Sequence, residues 1–129
     1  PKSLPALVKA ARIQEKAKGI GFEWSNKEDV WLKVQEEINE LNEAIKSGDS
    51  QKDIDEEYGD VLFSLINYSR FIDVNAENAL SRTNVKFIRR FKKMEELMQD
   101  AGVSIEDASL DVMDSYWVKA KEIEKAQNH

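Results

Sequence analysis

Apolar side chains recur every three or four positions along most of the chain, and strict alternation of apolar and polar residues is absent. This spacing places apolar residues on one face of an α-helix. The pattern predicts five helices, at residues 4–18, 27–46, 53–72, 76–99 and 110–126. We therefore expect an all-α fold, a bundle of about five helices with a four-helix core whose body is formed by the second to fourth helices.

The segments between these helices contain residues that favour helix ends. Gly19 and Gly21 are expected to end the first helix, and Ser25 or Asn26 to cap the second. The sequence SIED at residues 104–107 resembles a capping box and is expected to precede the last helix. The helix boundaries are therefore predicted from both the apolar period and these end residues.

The second and third helices each carry an apolar stripe that we expect to face the core. On the second helix the stripe consists of Val30, Val34, Ile38, Leu41 and Ile45. On the third helix it consists of Ile54, Tyr58, Val61, Leu62, Leu65 and Ile72. Glu37 is expected at the edge of the first stripe, and Glu57 beside the second.

Length and composition limit the class of protein. A chain of 129 residues is most simply one domain, and its 41% apolar and 34% charged residues are typical of a globular protein. The apolar runs are too short to span a membrane and no secretory signal is evident, so we expect a cytoplasmic protein. The net charge of −6 argues against general nucleic-acid binding.

The composition also limits the kind of metal that the chain can bind. It contains no cysteine, and its single histidine is His129 at the end of the sequence. Zinc sites built from thiolates or imidazoles are therefore not expected. Oxygen ligands would hold any metal, which favours magnesium, manganese or calcium.

Acidic residues are concentrated in residues 36–60, which contain ten acidic side chains and two basic ones. Glu37 and Glu40 are three apart on the second helix, and Glu57 and Asp60 are three apart on the third, so each pair shares a helix face. If the two helices run antiparallel across a short turn, the four carboxylates converge, and a divalent cation would relieve their repulsion. A solvated acidic surface would show the same spacing, so the spacing alone leaves both interpretations open.

Several stretches of the sequence resemble one known family. Residues 14–16 (QEK), leading into residues 21–24 (GFEW), resemble the segment that precedes the acidic motif in that family. Residues 36–40 (EEINE), followed after sixteen residues by residues 57–60 (EYGD), fit the EExxE…ExxD pattern of MazG-type nucleoside triphosphate pyrophosphohydrolases, which are all-α. Residues 84–91 (NVKFIRRF) resemble the family's NxKFxxRF stretch. The likeness covers nearly the whole chain and is strongest to the C-terminal domain of two-domain MazG proteins. We therefore expect residues 1–129 to be a single MazG-like domain, excised from a longer two-domain chain.

The resemblance implies magnesium-dependent hydrolysis of nucleoside triphosphates to the monophosphate and pyrophosphate, with manganese able to replace magnesium. It implies four metal ligands, Glu37, Glu40, Glu57 and Asp60. Glu36 matches the first glutamate of the motif and is expected to orient water or a ligand rather than to bind the metal. Catalysis is assigned to Glu36, Glu37 and Glu40, since a carboxylate of this motif would position or deprotonate the attacking water.

Basic residues cluster on the fourth helix, where residues 82–93 contain six basic side chains and no acidic one. Lys86 and Arg90 are four apart and share a helix face. The resemblance implies that both contact the triphosphate, with Asn84 nearby. The alternative is a solvated basic face that pairs with acidic neighbours on the same helix.

A nucleotide base needs a flat apolar partner, which aromatic side chains commonly provide. Trp24, in the connector after the first helix, and Trp117, on the last helix, are the candidates. For each of them, a place in the core is the alternative. The resemblance favours Trp117 as the substrate contact.

The apolar pattern and the resemblance also bear on the oligomeric state and on the alternative functions. Apolar residues left over on the third helix, namely Phe63, Ile66 and Phe71, need cover, and the resemblance implies at least a homodimer. A narrower enzyme of the same superfamily, acting on one nucleotide such as dUTP or dCTP, stays open as an alternative. A non-catalytic, metal-binding helical domain that regulates or docks a partner is the second alternative.

Overall fold

The computed structural model of the chain describes residues 4–128, and residues 1–3 and His129 lie outside the described part. The described part contains five α-helices and no strand: α1 Ala6–Gly19, α2 Lys27–Lys46, α3 Gln51–Phe71, α4 Ala76–Asp100 and α5 Leu110–Gln127. The all-α prediction is confirmed, and every predicted helix end lies within two residues of the observed one. No described helix combines the length and the apolar character that crossing a membrane requires.

The chain divides into two compact units, with the division between Ala79 and Leu80. The N-terminal unit contains α1, α2, α3 and the first turn of α4. The C-terminal unit contains the remainder of α4 and α5. The expectation of a single domain over residues 1–129 stays a prediction.

Local capping fixes the ends of α2 and α3. The side chain of Asn26 accepts a hydrogen bond of 2.9 Å from the backbone N–H of Asp29, which confirms one of the two predicted caps. Ser50 accepts one of 3.2 Å from the N–H of Asp53. Between the two helices, Gly48 has a φ of +69°, a backbone conformation that glycine adopts without strain. The turn is therefore short, and α2 and α3 lie antiparallel against each other.

The capping-box-like sequence at residues 104–107 precedes α5, as expected, but it does not supply the cap of this helix. Residues 105–107 form a turn, and the cap is Ser109, whose hydroxyl accepts a hydrogen bond of 3.2 Å from the N–H of Val112. A capping box acts only where a helix begins directly after it. Here α5 begins at Leu110, directly after Ser109.

The face of α2 that packs against its neighbours differs from the predicted stripe. The fully or nearly buried residues of this helix are Val30, Val34, Glu37 and Ala44. Ile38 and Ile45, both predicted to be inside, are 39% and 54% exposed. The buried positions follow a spacing of alternately four and three residues, so the face passes through Glu37 rather than beside it.

The face of α3 also departs from the prediction. Ile54 and Val61 are half-buried as expected, but the other four predicted residues are exposed: Tyr58, Leu62, Leu65 and Ile72. The buried residues of α3 are Ser64, Ile66 and Ser69 instead, and α3 packs against both α1 and α2. Ile66, which was expected to need cover from a second copy, is covered within the chain. The hydroxyls of Ser64 and Ser69 donate to carbonyl oxygens of their own helix, which satisfies them in the interior.

Several exposed apolar side chains fall on one side of the α2–α3 pair. We call Ile38, Ile45, Tyr58, Leu62 and Leu65 the apolar face. Four of these five directly follow residues 37, 44, 57 and 64, which lie on the inward faces of the two helices. Each of the four therefore points about 100° away from the inward direction of its helix, and always in the same sense of rotation along the chain. In an antiparallel pair, positions turned in the same sense lie on the same side. This side of the N-terminal unit therefore presents apolar surface to solvent.

The buried side chains of the C-terminal unit are methionine and alanine, and three of its aromatic rings, which are half-buried or exposed, contact one another. Met94 and Met98 of α4 and Ala120 of α5 are buried. The ring of Phe87 lies 5.2 Å from that of Trp117 and 6.0 Å from that of Phe91, measured between ring centroids. The contact of Phe87 with Trp117 joins α4 to α5, whereas the contact of Phe87 with Phe91 lies within α4.

Candidate functional site

Three glutamates of the N-terminal unit come together on α2 and α3. One carboxylate oxygen from each of Glu37, Glu40 and Glu57 lies within 4.8 Å of the other two. Glu37 is buried, Glu57 is half-buried and Glu40 is exposed. We call these three residues the carboxylate cluster. The predicted convergence of acidic side chains across the α2–α3 turn is therefore present for three of the four predicted ligands.

The buried position of Glu37 leaves its charge only partly balanced. Its Oε1 lies 2.9 Å from the Nζ of Lys33, one turn earlier on α2. Among the described residues, its Oε2 and the Oε2 of Glu57 are buried without a hydrogen-bond partner. Buried, unpaired carboxylate oxygens are costly, so this arrangement favours the presence of a further cation.

The shifted pKa values within the carboxylate cluster also favour the presence of a cation. The negative charge of Glu37 is the main cause that raises the pKa of Glu40, and Glu57 adds to it. Desolvation raises the pKa of Glu57, followed by the charges of Asp60 and Glu37. The carboxylates therefore repel one another when ionised.

The donor set fits a hard divalent cation. All three groups are carboxylates, which Mg²⁺ and Mn²⁺ bind through oxygen, and two of them have a buried oxygen without a partner among the described residues. An exposed acidic surface alone would not bury Glu37 between two helices. The geometry therefore favours a metal centre over the solvated surface that the sequence left open.

Two predicted acidic residues lie apart from the carboxylate cluster. Asp60 is exposed on α3 and is not one of the three converging groups, although its charge acts on Glu57. Glu36 is exposed on α2, and its Oε2 lies 3.3 Å from the Nζ of Lys33. Metal ligation by Asp60 and a catalytic role for Glu36 stay predictions.

The predicted phosphate contacts lie on α4 in the C-terminal unit. Asn84 and Lys86 are exposed there. Arg90 is held: its Nη2 donates to Glu124 Oε2 at 3.1 Å, and its guanidinium lies 5.5 Å from the ring centroid of Trp117. Burial opposes ionisation of Glu124, but hydrogen bonds from Arg90 and Arg89 lower its pKa overall.

Trp117 is half-buried and packed by its neighbours. Phe87 lies against its ring at a tilt of 45°, and Arg90 lies over it. These contacts hold the half-buried ring of Trp117 against α4. Its predicted role as a substrate contact, like those of Asn84, Lys86 and Arg90, stays a prediction.

Sequence reasoning missed three residues beside the candidate groups. Lys33 pairs with Glu37 at a spacing of four, a local signal that was available. Glu124 pairs with Arg90 across 34 positions, and Gln14 bonds the carbonyl of Phe63 across 49. Pairings at such separations leave no local signal in a sequence.

Comparison with known proteins identifies the family. The MazG nucleotide pyrophosphohydrolase domain matches residues 25–95, more than half of the chain. The chain belongs to the MazG family. The matched segment includes the whole carboxylate cluster and Asp60, as well as Lys86 and Arg90.

Three relatives extend the similarity over nearly the whole chain. The nucleoside triphosphate pyrophosphohydrolase/pyrophosphatase MazG of Thermotoga maritima is 46% identical over 118 residues, which cover 92% of this chain and 45% of that protein. The nucleoside triphosphate pyrophosphohydrolase of Escherichia coli is 39% identical over 127 residues, 96% of this chain and 48% of that protein. The uncharacterized protein YabN of Bacillus subtilis is 44% identical over 125 residues, 97% of this chain and 26% of that protein. The chain thus spans about half the length of two of these relatives and about a quarter of the third.

Proposed function

We propose that this chain hydrolyses nucleoside triphosphates to nucleoside monophosphate and pyrophosphate, with Mg²⁺. The observation that carries the proposal is the carboxylate cluster, in which Glu37 and Glu57 each have a buried oxygen without a partner among the described residues. The cluster lies inside the segment that matches the MazG family. The names of the relatives from Thermotoga maritima and Escherichia coli support the same activity.

The proposal assigns Mg²⁺, with Mn²⁺ as a substitute, to Glu37, Glu40 and Glu57, and Asp60 to the same centre. When bound, the metal supplies a Lewis acid that neutralises charge on the phosphate oxygens. Carboxylates on two helices hold such a centre in place because the short turn fixes α2 against α3.

Within this proposal, a carboxylate oxygen of residues 36–40 that does not bind the metal acts on the attacking water. Glu36, or an oxygen of Glu37 or Glu40 that is not engaged by metal, orients the water and accepts its proton. The water oxygen forms a bond to the α-phosphorus, the bond from that phosphorus to the bridging oxygen breaks, and pyrophosphate leaves with the bridging oxygen. Lys86, Arg90 and Asn84 are assigned to the triphosphate and Trp117 to the base, with Arg90 exchanging its contact with Glu124 for phosphate.

The setting that we propose is a homodimer in the cytoplasm, where nucleotides and Mg²⁺ are abundant. The apolar face supports the dimer, since a patch of this kind on α2 and α3 is stabilised by burial against a second copy.

Product analysis tests the activity. Each common NTP and dNTP is incubated with the protein, with and without Mg²⁺, and the products are separated. We expect monophosphate plus pyrophosphate, only with Mg²⁺, and a loss of about 100-fold or more in Glu57→Gln. Glu43→Gln, which changes an exposed glutamate of α2 outside the carboxylate cluster, should retain full turnover.

The alternatives predict different results in the same experiment. Release of orthophosphate would overturn the proposed cleavage, and full Mg²⁺-dependent turnover in Glu57→Gln would overturn the metal assignment. Turnover of a single nucleotide in the panel would identify the narrower enzyme. Mg²⁺ binding without any turnover would favour the non-catalytic domain.

A further inference from the structure

A cluster of opposite charges lies in the C-terminal unit, around Glu124 of α5. Two arginines of α4 share this one carboxylate. Nε and Nη2 of Arg90 lie 3.3 Å and 3.1 Å from Glu124 Oε2, and Nη2 of Arg89 lies 3.5 Å from the same oxygen. All three contacts therefore converge on Oε2. The other oxygen, Oε1, is buried and has no hydrogen-bond partner within the described part of the chain.

The two arginines are held to different degrees. The side chain of Arg90 is 14% exposed, and its guanidinium contacts both Glu124 and the ring of Trp117, whose centroid is 5.5 Å away. The side chain of Arg89 is 58% exposed, and its contact with Glu124 is longer than about 3.2 Å, the usual limit of a good hydrogen bond. Arg89 is therefore a loosely engaged cation that can approach Glu124 more closely without disturbing the packing.

The burial of Glu124 gives the second arginine a purpose. The side chain of Glu124 is 12% exposed, and a carboxylate with so little access to water is costly to leave without a cation. Arg90 is also the residue that the proposed function assigns to the triphosphate. If Arg90 turned towards phosphate and nothing replaced it, the unpaired carboxylate would weaken binding. Arg89 can replace it, because a guanidinium bonds both oxygens of a carboxylate at once and Oε1 still lacks a donor.

We propose that Glu124 and Arg89 are positioning residues that control the availability of Arg90. Without nucleotide, Glu124 holds Arg90 beside Trp117. When Arg90 moves to the triphosphate, Arg89 takes over the carboxylate of Glu124. This inference rests on the proposed function, since it requires Arg90 to bind phosphate. Neither Glu124 nor Arg89 touches the nucleotide, so both act on binding through Arg90.

A double-mutant cycle tests this exchange of partners. The ligand is ATP with a methylene bridge between the α- and β-phosphorus, which prevents cleavage, and its binding with Mg²⁺ is measured by calorimetry. We expect Arg89→Met to bind it about tenfold more weakly than the wild type, because Glu124 is left unpaired when Arg90 moves. Glu124→Gln should bind at least as tightly as the wild type, since a neutral amide does not compete with phosphate for Arg90. The double variant should match Glu124→Gln.

Two further variants separate the exchange from a loss of charge or of structure. Lys92→Met removes one positive charge from an exposed position of the same helix and should leave the affinity unchanged. Arg89→Lys keeps the charge and should recover part of the loss, since lysine pairs with a carboxylate through one group only. A loss of affinity that Glu124→Gln reverses cannot come from a failure to fold.

Each result also distinguishes this inference from the proposed activity. A loss of affinity in Arg89→Met that persists beside Glu124→Gln would show that Arg89 contacts phosphate itself, which overturns the exchange. Wild-type affinity in Arg89→Met would overturn it too, as would a wild-type protein that fails to bind the compound. If triphosphates are cleaved but the cycle shows no coupling, the exchange is wrong and the activity stands. If the coupling is present but no triphosphate is cleaved, the exchange stands and the activity fails.

Discussion

Glu37 is the residue on which the candidate metal centre depends most. It is buried between α2 and α3, paired through one oxygen with Lys33, and left with a second oxygen that has no partner within the described chain. Glu40 and Glu57 approach it closely enough for their carboxylates to repel. Repulsion within such a cluster lowers the stability of the metal-free protein, and relief of this repulsion raises the affinity for a cation.

Removing one of these charges should therefore raise the stability of the metal-free protein and weaken its binding of metal. In Glu40→Gln we expect a higher Tm for the metal-free protein at pH 7.5, because one repelling carboxylate is gone. The increase in Tm on adding Mg²⁺ should shrink or vanish. Thermal unfolding with and without Mg²⁺ measures both effects, and Glu43→Gln is the control that should match the wild type. A lower Tm in metal-free Glu40→Gln would contradict the account.

The same repulsion between carboxylates predicts that the stability of the protein, and the effect of Mg²⁺ on it, depend on pH. The folded-state pKa values of Glu40 and Glu57 are raised above the ordinary 4.5. Folding therefore favours their protonated forms, so their contribution to stability is present at and below about pH 4.5 and is lost as the pH rises through the raised values. The increase in Tm caused by Mg²⁺ should be small near pH 4.5 and should grow towards pH 7. An effect of Mg²⁺ that is independent of pH would show that these carboxylates do not bind it.

At the scale of helices, Arg70 determines how α1 and the connector attach to α3. Its side chain is 11% exposed, and its partners come from three segments of the N-terminal unit. The connector has few other attachments, since Phe22 and Ile20 are largely exposed. Backbone hydrogen bonds tie the start of the connector to the end of α1, and the guanidinium of Arg70 ties Glu23 of the connector to α3.

Loss of Arg70 should be costly. We expect Arg70→Met to lower the free energy of unfolding by about 2 kcal/mol, because Glu23 loses its partner and the connector is released. Urea denaturation measures this, with Arg12→Met, at an exposed arginine of α1, as the control. Arg70→Lys should recover only part of the loss, since a lysine cannot bond Glu15, Glu23 and Asn67 together. Equal stability of Arg70→Met and Arg12→Met would exclude the proposed role.

At the scale of the whole molecule, the apolar face is an exposed surface of α2 and α3 that has no partner in the described chain. It arises because α2 and α3 turn Glu37 and Ser64 inwards and Ile38 and Leu65 outwards. Burial of such side chains contributes roughly 25 cal/mol for each Å² removed from water, so a second copy would gain by covering them.

Charge placed on this face should separate the copies. The wild-type protein is expected to sediment as a dimer at micromolar concentration, and Leu62→Glu as a monomer, because the dimer would bury an unpaired carboxylate. Leu32→Glu is a matched control, since Leu32 is also exposed but lies outside the apolar face. A monomeric wild-type protein, or a dimeric Leu62→Glu, would rule out this interface.

The sequence by itself determined the five helices, most of their ends and the grouping of acidic residues near one turn. These features depend on neighbours within four positions: the apolar period, the cap at Asn26 and the spacing of Glu37 and Glu40. Even here, the capping-box-like sequence at residues 104–107 precedes α5 without capping it, because such a sequence acts only where a helix begins directly after it.

Only the tertiary structure decided which side of each helix faces inwards. A rotation of α2 by one residue would bury Ile38 in place of Glu37. The pattern of apolar residues is nearly as compatible with one rotation as with the other. The contact with α3 therefore decides which of the two residues is buried. The pairing of Gln14 with Phe63 and of Arg90 with Glu124 was equally hidden, since the partners are 49 and 34 positions apart. Contacts between distant residues depend on how helices pack, and packing selects among rotations that local sequence leaves almost equal in energy.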